Sequence, residues 1–188
     1  MSAPNPHIRF RYQDYRSLPE SMSKRYELLD GALLMVPALS TTHQRISRNL
    51  EYLLIEYCRQ FDFGEMLYAP IDVVLGTGDE REVVQPDLIL VAKSRLAIIT
   101  EQEVCGAPDL VVEILSPGTE DRDRGYKKVL YARYGVQEYW IVDPSKRCIE
   151  VYVPSRTGFV RKAAYSGDEP LESPLLLSFH PIPTTIFP

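Results

Sequence analysis

Apolar positions along this chain come in short runs that switch between two periods. Ile46, Leu50, Leu53, Leu54 and Tyr57 recur three and four apart, the spacing of one helix face. Ser40 or Thr41 can cap that helix, which is expected to run to about Arg59. Tyr26–Leu29 and Leu33–Val36 flank Asp30-Gly31, a two-residue turn that predicts a hairpin over 25–36. Other apolar runs predict strands over 66–75, 87–92, 109–115, 137–142 and 148–153, with Phe159–Tyr165 able to pair with the last. Thr77–Arg81 reads as a polar hairpin tip between the first two of these, and 93–107 as irregular with one helical turn. Ser116-Pro117-Gly118 stops the strand at 109–115. Thr119 or Asp121 then caps a helix to about Tyr134, ended by Gly135. A short helix is expected around Tyr12–Arg16, with a stop at Pro19. The proline-rich last 20 residues are expected to wrap the surface before an apolar end.

Strands on both sides of each helix, with many hairpins, predict an α/β (α+β) fold: a central mixed sheet flanked by helices, with extra hairpins. The 188 residues suit one domain with a real core and show no repeat, low-complexity tract or linker. No apolar run approaches the length needed to cross a bilayer, and Met1–Pro6 lacks the basic-then-apolar pattern of a signal peptide. Cys58, Cys105 and Cys148 are odd in number and scattered, which argues against a disulfide framework and a cysteine-rich zinc site. A cytoplasmic protein with no membrane partner is the expectation. The net charge of -5 counts against strong nonspecific nucleic-acid binding, yet Arg122, Arg124, Lys127, Lys128 and Arg133 leave room for a local basic patch.

Two carboxylates interrupt this pattern. Asp87 follows Pro86 and opens the run Leu88–Val91, and Glu113 stands inside Leu110–Leu115. Alternation puts Asp109, Val111, Glu113 and Leu115 on one strand face, so Glu113 lies between apolar neighbours. A buried carboxylate is costly unless it is paired, hydrogen-bonded or bound to a cation. The bland readings are an edge strand with one wet face for Glu113 and a turn residue for Asp87. The functional reading is a cleft at the sheet edge where two carboxylates hold magnesium or manganese and one water becomes a nucleophile toward phosphate. On the next helix, Lys127 and Tyr131 are four apart and share a side; Lys127 borders the apolar stripe and can reach such a cleft with its ammonium. Spacing alone leaves Lys128 as an alternative, and a solvated lysine as the plain one. Glu27 in the first hairpin and His43 near the start of the long helix are further candidates, as a metal ligand or cation partner and as a proton-transfer group, against solvent-facing and packing roles. No Gly-rich phosphate loop or Gly-x-Ser-x-Gly elbow occurs, and His7, His43 and His180 lack zinc-motif spacing.

Taken in order, several stretches resemble the widespread bacterial family of putative restriction endonucleases, a branch of the PD-(D/E)XK nuclease superfamily that long stood as a domain of unknown function. They are Tyr26–Gly31, Gln85–Leu88, Ala107–Pro117, Arg122-Asp123 with Lys127 and Tyr131, and Gly135–Pro144. Together they span about residues 12 to 153, which makes 154–188 a C-terminal extension of a single domain over 1–188. The resemblance implies a restriction-endonuclease-like fold and divalent-metal-dependent cleavage of DNA. It makes Asp87 and Glu113 the metal-binding carboxylates, Lys127 the catalytic lysine and Glu27 a fourth site residue, with His43 and Tyr131 as accessory positions. The usual lysine two residues after the second carboxylate is absent, because Leu115 stands there; the resemblance then implies that it comes from the helix, as Lys127 rather than Lys128. Ala32 and Gly118 also depart from residues frequent in the family. A homodimer is expected by analogy with superfamily members that cut both strands. Two other readings stay open: a catalytically inactive nuclease-like binding or assembly module, and a metal-dependent hydrolase of another phosphoester.

Overall fold

The computed structural model describes residues 9–19 and 25–188; Met1–Pro6, read above for a leader, lies outside them. The first helix, α1 (Tyr12–Arg16), stands where the pattern predicts it. The hairpin follows: β1 (Arg25–Leu29) pairs antiparallel with β2 (Ala32–Val36), and Asp30 (φ 45°) and Gly31 (φ 73°) both take the left-handed backbone of a tight turn. Helix α2 (Thr41–Phe61) is capped by Ser40, whose Oγ accepts the His43 N–H at 3.2 Å.

The expected strand over 66–75 is broken in two. Its first part, β3 (Gly64–Tyr68), and its second, β4 (Val73–Leu75), belong to different sheets. Pro70 lies between them and has no N–H with which to continue a ladder. The run at 87–92 forms β6 (Leu88–Ala92), and Pro86 separates it from β5 (Glu82–Val84), a strand of the other sheet that the apolar runs do not predict. The tip near Gly78–Glu80 therefore joins β4 to β5. A 3-10 segment at Lys93–Ile98 and the short β7 (Val104–Cys105) fill the irregular stretch before β8 (Leu110–Ile114). The last elements are β9 (Glu138–Asp143), β10 (Cys148–Ser155) and β11 (Gly158–Ser166). Two mixed sheets result. One has the order β2-β1-β5-β4-β7, with β4 and β7 parallel; the other has the order β11-β10-β9-β8-β6-β3, with β8 and β9 parallel.

The sheets share one apolar cluster. Leu29, Val73, Leu75 and Val84 from the five-stranded sheet meet Ile89, Val91, Val111 and Ile141 from the six-stranded one. The opposite face of the six-stranded sheet carries Leu88, Leu90, Leu110, Val112 and Ile114, covered by Ile46, Leu50 and Leu54 of α2. Burying each of those α2 side chains contributes about 1.5–3 kcal/mol. Leu171, Leu176, Phe179, Ile186 and Phe187 join this cluster, so the C-terminal stretch supplies core as well as surface.

Strand β8 is interior, which overturns both the wet-edge reading and the expected cleft at the sheet edge. It pairs with β6 on one side and β9 on the other, and all five of its residues are buried. The alternation read from the sequence holds: Leu110, Val112 and Ile114 face α2, while Val111 and Leu115 face the other sheet. Glu113 shares the second face. Between β6 and β8, Leu88 pairs with Val112 and Ile89 with Val111. One step further along this register brings Asp87 opposite Glu113.

Candidate active site

The stretch after β8 is the predicted helix with an irregularity inside it. It opens as α3 (Glu120–Arg122), widens into a π turn at Asp123–Lys127, and continues as α4 (Lys128–Tyr134), closed by Gly135 at φ 85°. A π turn adds a residue to one turn of helix and is frequent at functional sites. Here Asp123 and Lys127 are both buried on the side facing β8. Lys128 turns away, its ammonium 5.3 Å from the centre of the Tyr152 ring. The choice that spacing left open between the two lysines is thus resolved in position: Lys127 faces Glu113.

Five sequence candidates meet at one cavity. Glu27 arrives from β1, His43 from the first turn of α2, Asp87 from the entry to β6, Glu113 from β8 and Lys127 from the π turn. Tyr131, one turn further along α4, donates its hydroxyl to Glu113 Oε1 at 2.6 Å. Lys127 Nζ sits among three carboxylates, 2.7 Å from Glu27 Oε1, 3.0 Å from Glu113 Oε1 and 3.5 Å from Asp123 Oδ1. Asp87 Oδ2 accepts the Ile114 N–H at 2.8 Å and lies 3.1 Å from His43 Nε2. Glu27 also accepts the Gln85 N–H at 3.0 Å and Arg122 at 2.9 Å. Asp123, Gln85 and Arg122 were not singled out as site residues from the sequence. The pair Arg122-Asp123 does stand in a recognised stretch, and Gln85 directly precedes Pro86-Asp87. Those placements, and the spacing of Asp123 four residues before Lys127, are the available signals.

Burial and charge set the ionisation of this group. Burial pushes Glu113 well above the usual glutamate range; Lys127 pulls it back only in part, and Asp123, Asp87 and Glu27 add to the rise. Asp123 is raised for the same leading reason. For Glu27, burial is outweighed by Lys127, the Gln85 N–H and Arg122, so its carboxyl is held below the usual range. Burial alone would lower the Lys127 pKa, but Glu113, Glu27 and Asp123 raise it and keep the ammonium charged. Burial and the neighbouring Glu113 raise Tyr131, which stays a neutral donor.

The unmet hydrogen-bonding capacity of the site is one-sided. Among the described residues, three buried side-chain atoms have no hydrogen-bond partner: His43 Nδ1, Gln85 Oε1 and Asp123 Oδ1. All three residues line the same cavity. Gln85 Oε1 and Asp123 Oδ1 are acceptors. In a neutral His43 that gives its Nε2–H to Asp87, Nδ1 is an acceptor as well. Asp87 and Glu113 add to this excess, since their hydrogen bonds fall on Oδ2 and Oε1 and leave Asp87 Oδ1 and Glu113 Oε2 without a protein donor among the described residues. The free space is about 20 Å³, room for roughly one water-sized guest. A wider cavity of about 410 Å³ adjoins it, sharing Pro37 and Ser116.

Among the described residues, no three His, Cys, Asp or Glu side chains converge in the manner of a protein-only metal cage. Two carboxylates with one free oxygen each, beside acceptors that suit water, are instead a donor set for a small hard ion; the space between them seats one guest, so the ion's remaining waters would lie toward the adjoining wider cavity. The residues present therefore fit magnesium or manganese.

Residues 12–184 match the Uma2 family, described as putative restriction endonuclease. The chain belongs to that family. This Uma2 protein is similar to two curated proteins of Synechocystis sp. (strain ATCC 27184 / PCC 6803 / Kazusa). It is 28% identical to uncharacterized protein slr1290 over 172 residues, 91% of this chain and 87% of that one. It is 23% identical to uncharacterized protein sll1609 over 142 residues, 74% of this chain and 77% of that one. Its fold matches a crystal structure of a putative nuclease belonging to DUF820 from Anabaena variabilis ATCC 29413. The TM-score is 0.78 at 18% identity, covering 95% of this chain and 97% of that one. The Uma2 assignment and this fold agree with the restriction-endonuclease-like architecture expected from the ordered motifs. Among the described residues, no helix is long and apolar enough to cross a membrane.

Proposed function

We propose that this protein is a divalent-metal-dependent endonuclease that hydrolyses DNA phosphodiester bonds. The observation that carries this reading is the acceptor excess of the cavity: two opposed carboxylates, each with one oxygen free, beside three buried side-chain atoms without a partner. Asp87 and Glu113 would hold magnesium or manganese. Bound there, the ion supplies positive charge to the scissile phosphate and acidifies a water. The chain's own groups do the rest. The Ile114 N–H and His43 hold Asp87 by one oxygen and so aim the other. Tyr131 does the same for Glu113. Lys127 stays charged and stabilises negative charge building on the phosphate oxygens. Glu27 fixes Lys127 in place and is itself held by Arg122 and the Gln85 N–H.

DNA is the proposed substrate on the strength of the family. A homodimer belongs to the same proposal, since cutting both strands in one encounter takes two such sites; sedimentation of the free protein measures it. One observation favours a smaller phosphoester. Arg122, Arg124, Lys127 and Arg133 each face a carboxylate within the fold, which leaves the basic stretch little free charge for a DNA backbone.

The test is cleavage of plasmid and labelled oligonucleotide DNA with added magnesium or manganese. Wild type is expected to cut only with metal, and Asp87→Asn, Glu113→Gln and Lys127→Ala to lose at least about a hundredfold in rate. Cleavage unchanged in all three variants would overturn the mechanism. Metal-dependent hydrolysis of a small phosphodiester with no DNA cleavage would select the smaller substrate. A folded protein with no affinity for either ion would select the inactive binding module.

A further inference from the structure

A water that attacks phosphorus must give up a proton, and Lys127 is not free to take it. Its ammonium is already charged and faces Glu27 Oε1, Glu113 Oε1 and Asp123 Oδ1. Glu27 is committed as well: Oε1 takes Lys127 and the Gln85 N–H, and Oε2 takes Arg122. Asp87 and Glu113 are the carboxylates whose free oxygens suit the ion. Asp123 remains. It is 1% exposed, it lines the cavity, and its Oδ1 accepts no hydrogen bond from the described residues, with Lys127 Nζ 3.5 Å away. Asp123 and Lys127 are four apart and open and close the π turn, so both face the cavity, and the main chain there is pinned where Tyr139 donates its hydroxyl to the Asp123 carbonyl at 3.0 Å. Gln85 supplies a second bare acceptor, Oε1, while its Nε2–H is held by Asp72 at 2.8 Å.

We propose that Asp123 is the proton acceptor for the attacking water, and that the Gln85 carbonyl oxygen is the second acceptor that orients it. The assignment rests on the nuclease reading above. In the step, the water oxygen forms a bond to phosphorus as one of its protons passes to Asp123 Oδ1. The bond from phosphorus to the leaving sugar oxygen breaks with its electron pair, and that oxygen takes a proton from solvent. The neutral charge of a bare glutamine oxygen fits an orienting role, since it accepts a hydrogen bond without taking the proton. His43 Nδ1 is the rival acceptor.

The experiment compares wild type, Asp87→Asn and Asp123→Asn as full chains. Manganese affinity is read by calorimetry, and single-turnover cleavage of a labelled DNA duplex is read at saturating manganese. Asp123→Asn is nearly isosteric; Asp123→Ser is the second variant, with folding of each followed by thermal melting. The expected result is manganese affinity within about tenfold of wild type for the Asp123 variants, the range of a residue outside the ligand set, and a cleavage rate lower by at least about a hundredfold, as for loss of a general base. Gln85→Met is expected to lower the rate by about tenfold at unchanged manganese affinity, a smaller loss than that of the base itself. Cleavage by Asp123→Asn close to the wild-type rate overturns the assignment and turns attention to His43. Loss of manganese binding as severe as in Asp87→Asn also overturns it, because Asp123 would then be a metal ligand. A wild type that binds manganese yet cuts no DNA defeats the nuclease reading itself, an outcome distinct from either of these.

Discussion

Two groups of buried carboxylates flank the helical stretch 120–134, and they are finished in opposite ways. At the end of β9, Asp143 has its hydrogen-bonding capacity filled. Oδ1 accepts the Ser145 N–H at 3.0 Å, the Ser145 hydroxyl at 2.6 Å and the Lys146 N–H at 3.1 Å; Oδ2 accepts Lys146 at 2.8 Å and Arg124 at 3.2 Å. Its neighbour Glu150 takes Arg124 at 2.9 Å and the Tyr152 hydroxyl at 2.6 Å. Burial works against ionisation at both, yet these donors outweigh it and hold both carboxyls below the usual range. In the cavity the balance is reversed: burial wins at Glu113 and Asp123, and oxygens are left bare. Filled carboxylates hold a fold together. Carboxylates left short of donors cost stability, and a cation or a hydrated guest is what relieves that cost.

The largest expected effect is at the centre of the second group. Lys127→Ala leaves Glu27, Glu113 and Asp123 buried without their shared cation. Urea denaturation is expected to show a loss of about 3–5 kcal/mol, the usual result of breaking a buried ion pair from one side. A loss under about 1 kcal/mol would place Lys127 in the class of surface pairs and weaken the contrast.

Opposite pH slopes come next. Glu113 has a raised folded pKa, so its contribution to stability is fully present below about pH 4.5 and is lost as pH rises through the folded value. In metal-free buffer, wild type is therefore expected to lose stability relative to Glu113→Gln as pH climbs from there. Asp143 has a depressed folded pKa, so its contribution is present above about pH 3.8 and is lost as pH falls through the folded value. Asp143→Asn should remove part of the acid sensitivity. Denaturation midpoints across pH measure both, and slopes of one sign would break the comparison.

The smallest effect is expected for Arg124→Ala. Asp143 keeps Lys146 and Ser145, so the loss should be about 1–2 kcal/mol, with manganese affinity and cleavage unchanged. A large loss of metal affinity in this variant would mean that the two groups are not independent.

Much of the cavity group is legible in the sequence because it depends on local period and order, whereas the filled group at Asp143 and Glu150 is not. Alternation in β8 gave Glu113 the correct face, Asp30-Gly31 gave the hairpin that carries Glu27, and the ordered stretches brought Lys127 to the site in place of Leu115. What was hidden depends on long-range partners. The interior position of β8 is set by β6 and β9 on either side, and no period within β8 reports its neighbours. The division of 66–75 between sheets turns on Pro70, which the apolar residues on either side of it obscure. Asp123, by contrast, stands four residues before Lys127, the spacing that also puts Tyr131 on that side, so the helical period and the recognised Arg122-Asp123 stretch both carry its signal. The basic residues at 122–133 looked like a free patch because the carboxylates that face most of them lie far away in the chain.

The central claim is that Asp87 and Glu113 keep their free oxygens for a divalent cation. Calorimetric titration of manganese into metal-free wild type and into the Asp87→Asn/Glu113→Gln double variant tests it most directly. The account predicts saturable binding to wild type that weakens by at least about a hundredfold in the double variant while the fold is retained. Binding of equal strength to both proteins, or to neither, would contradict it.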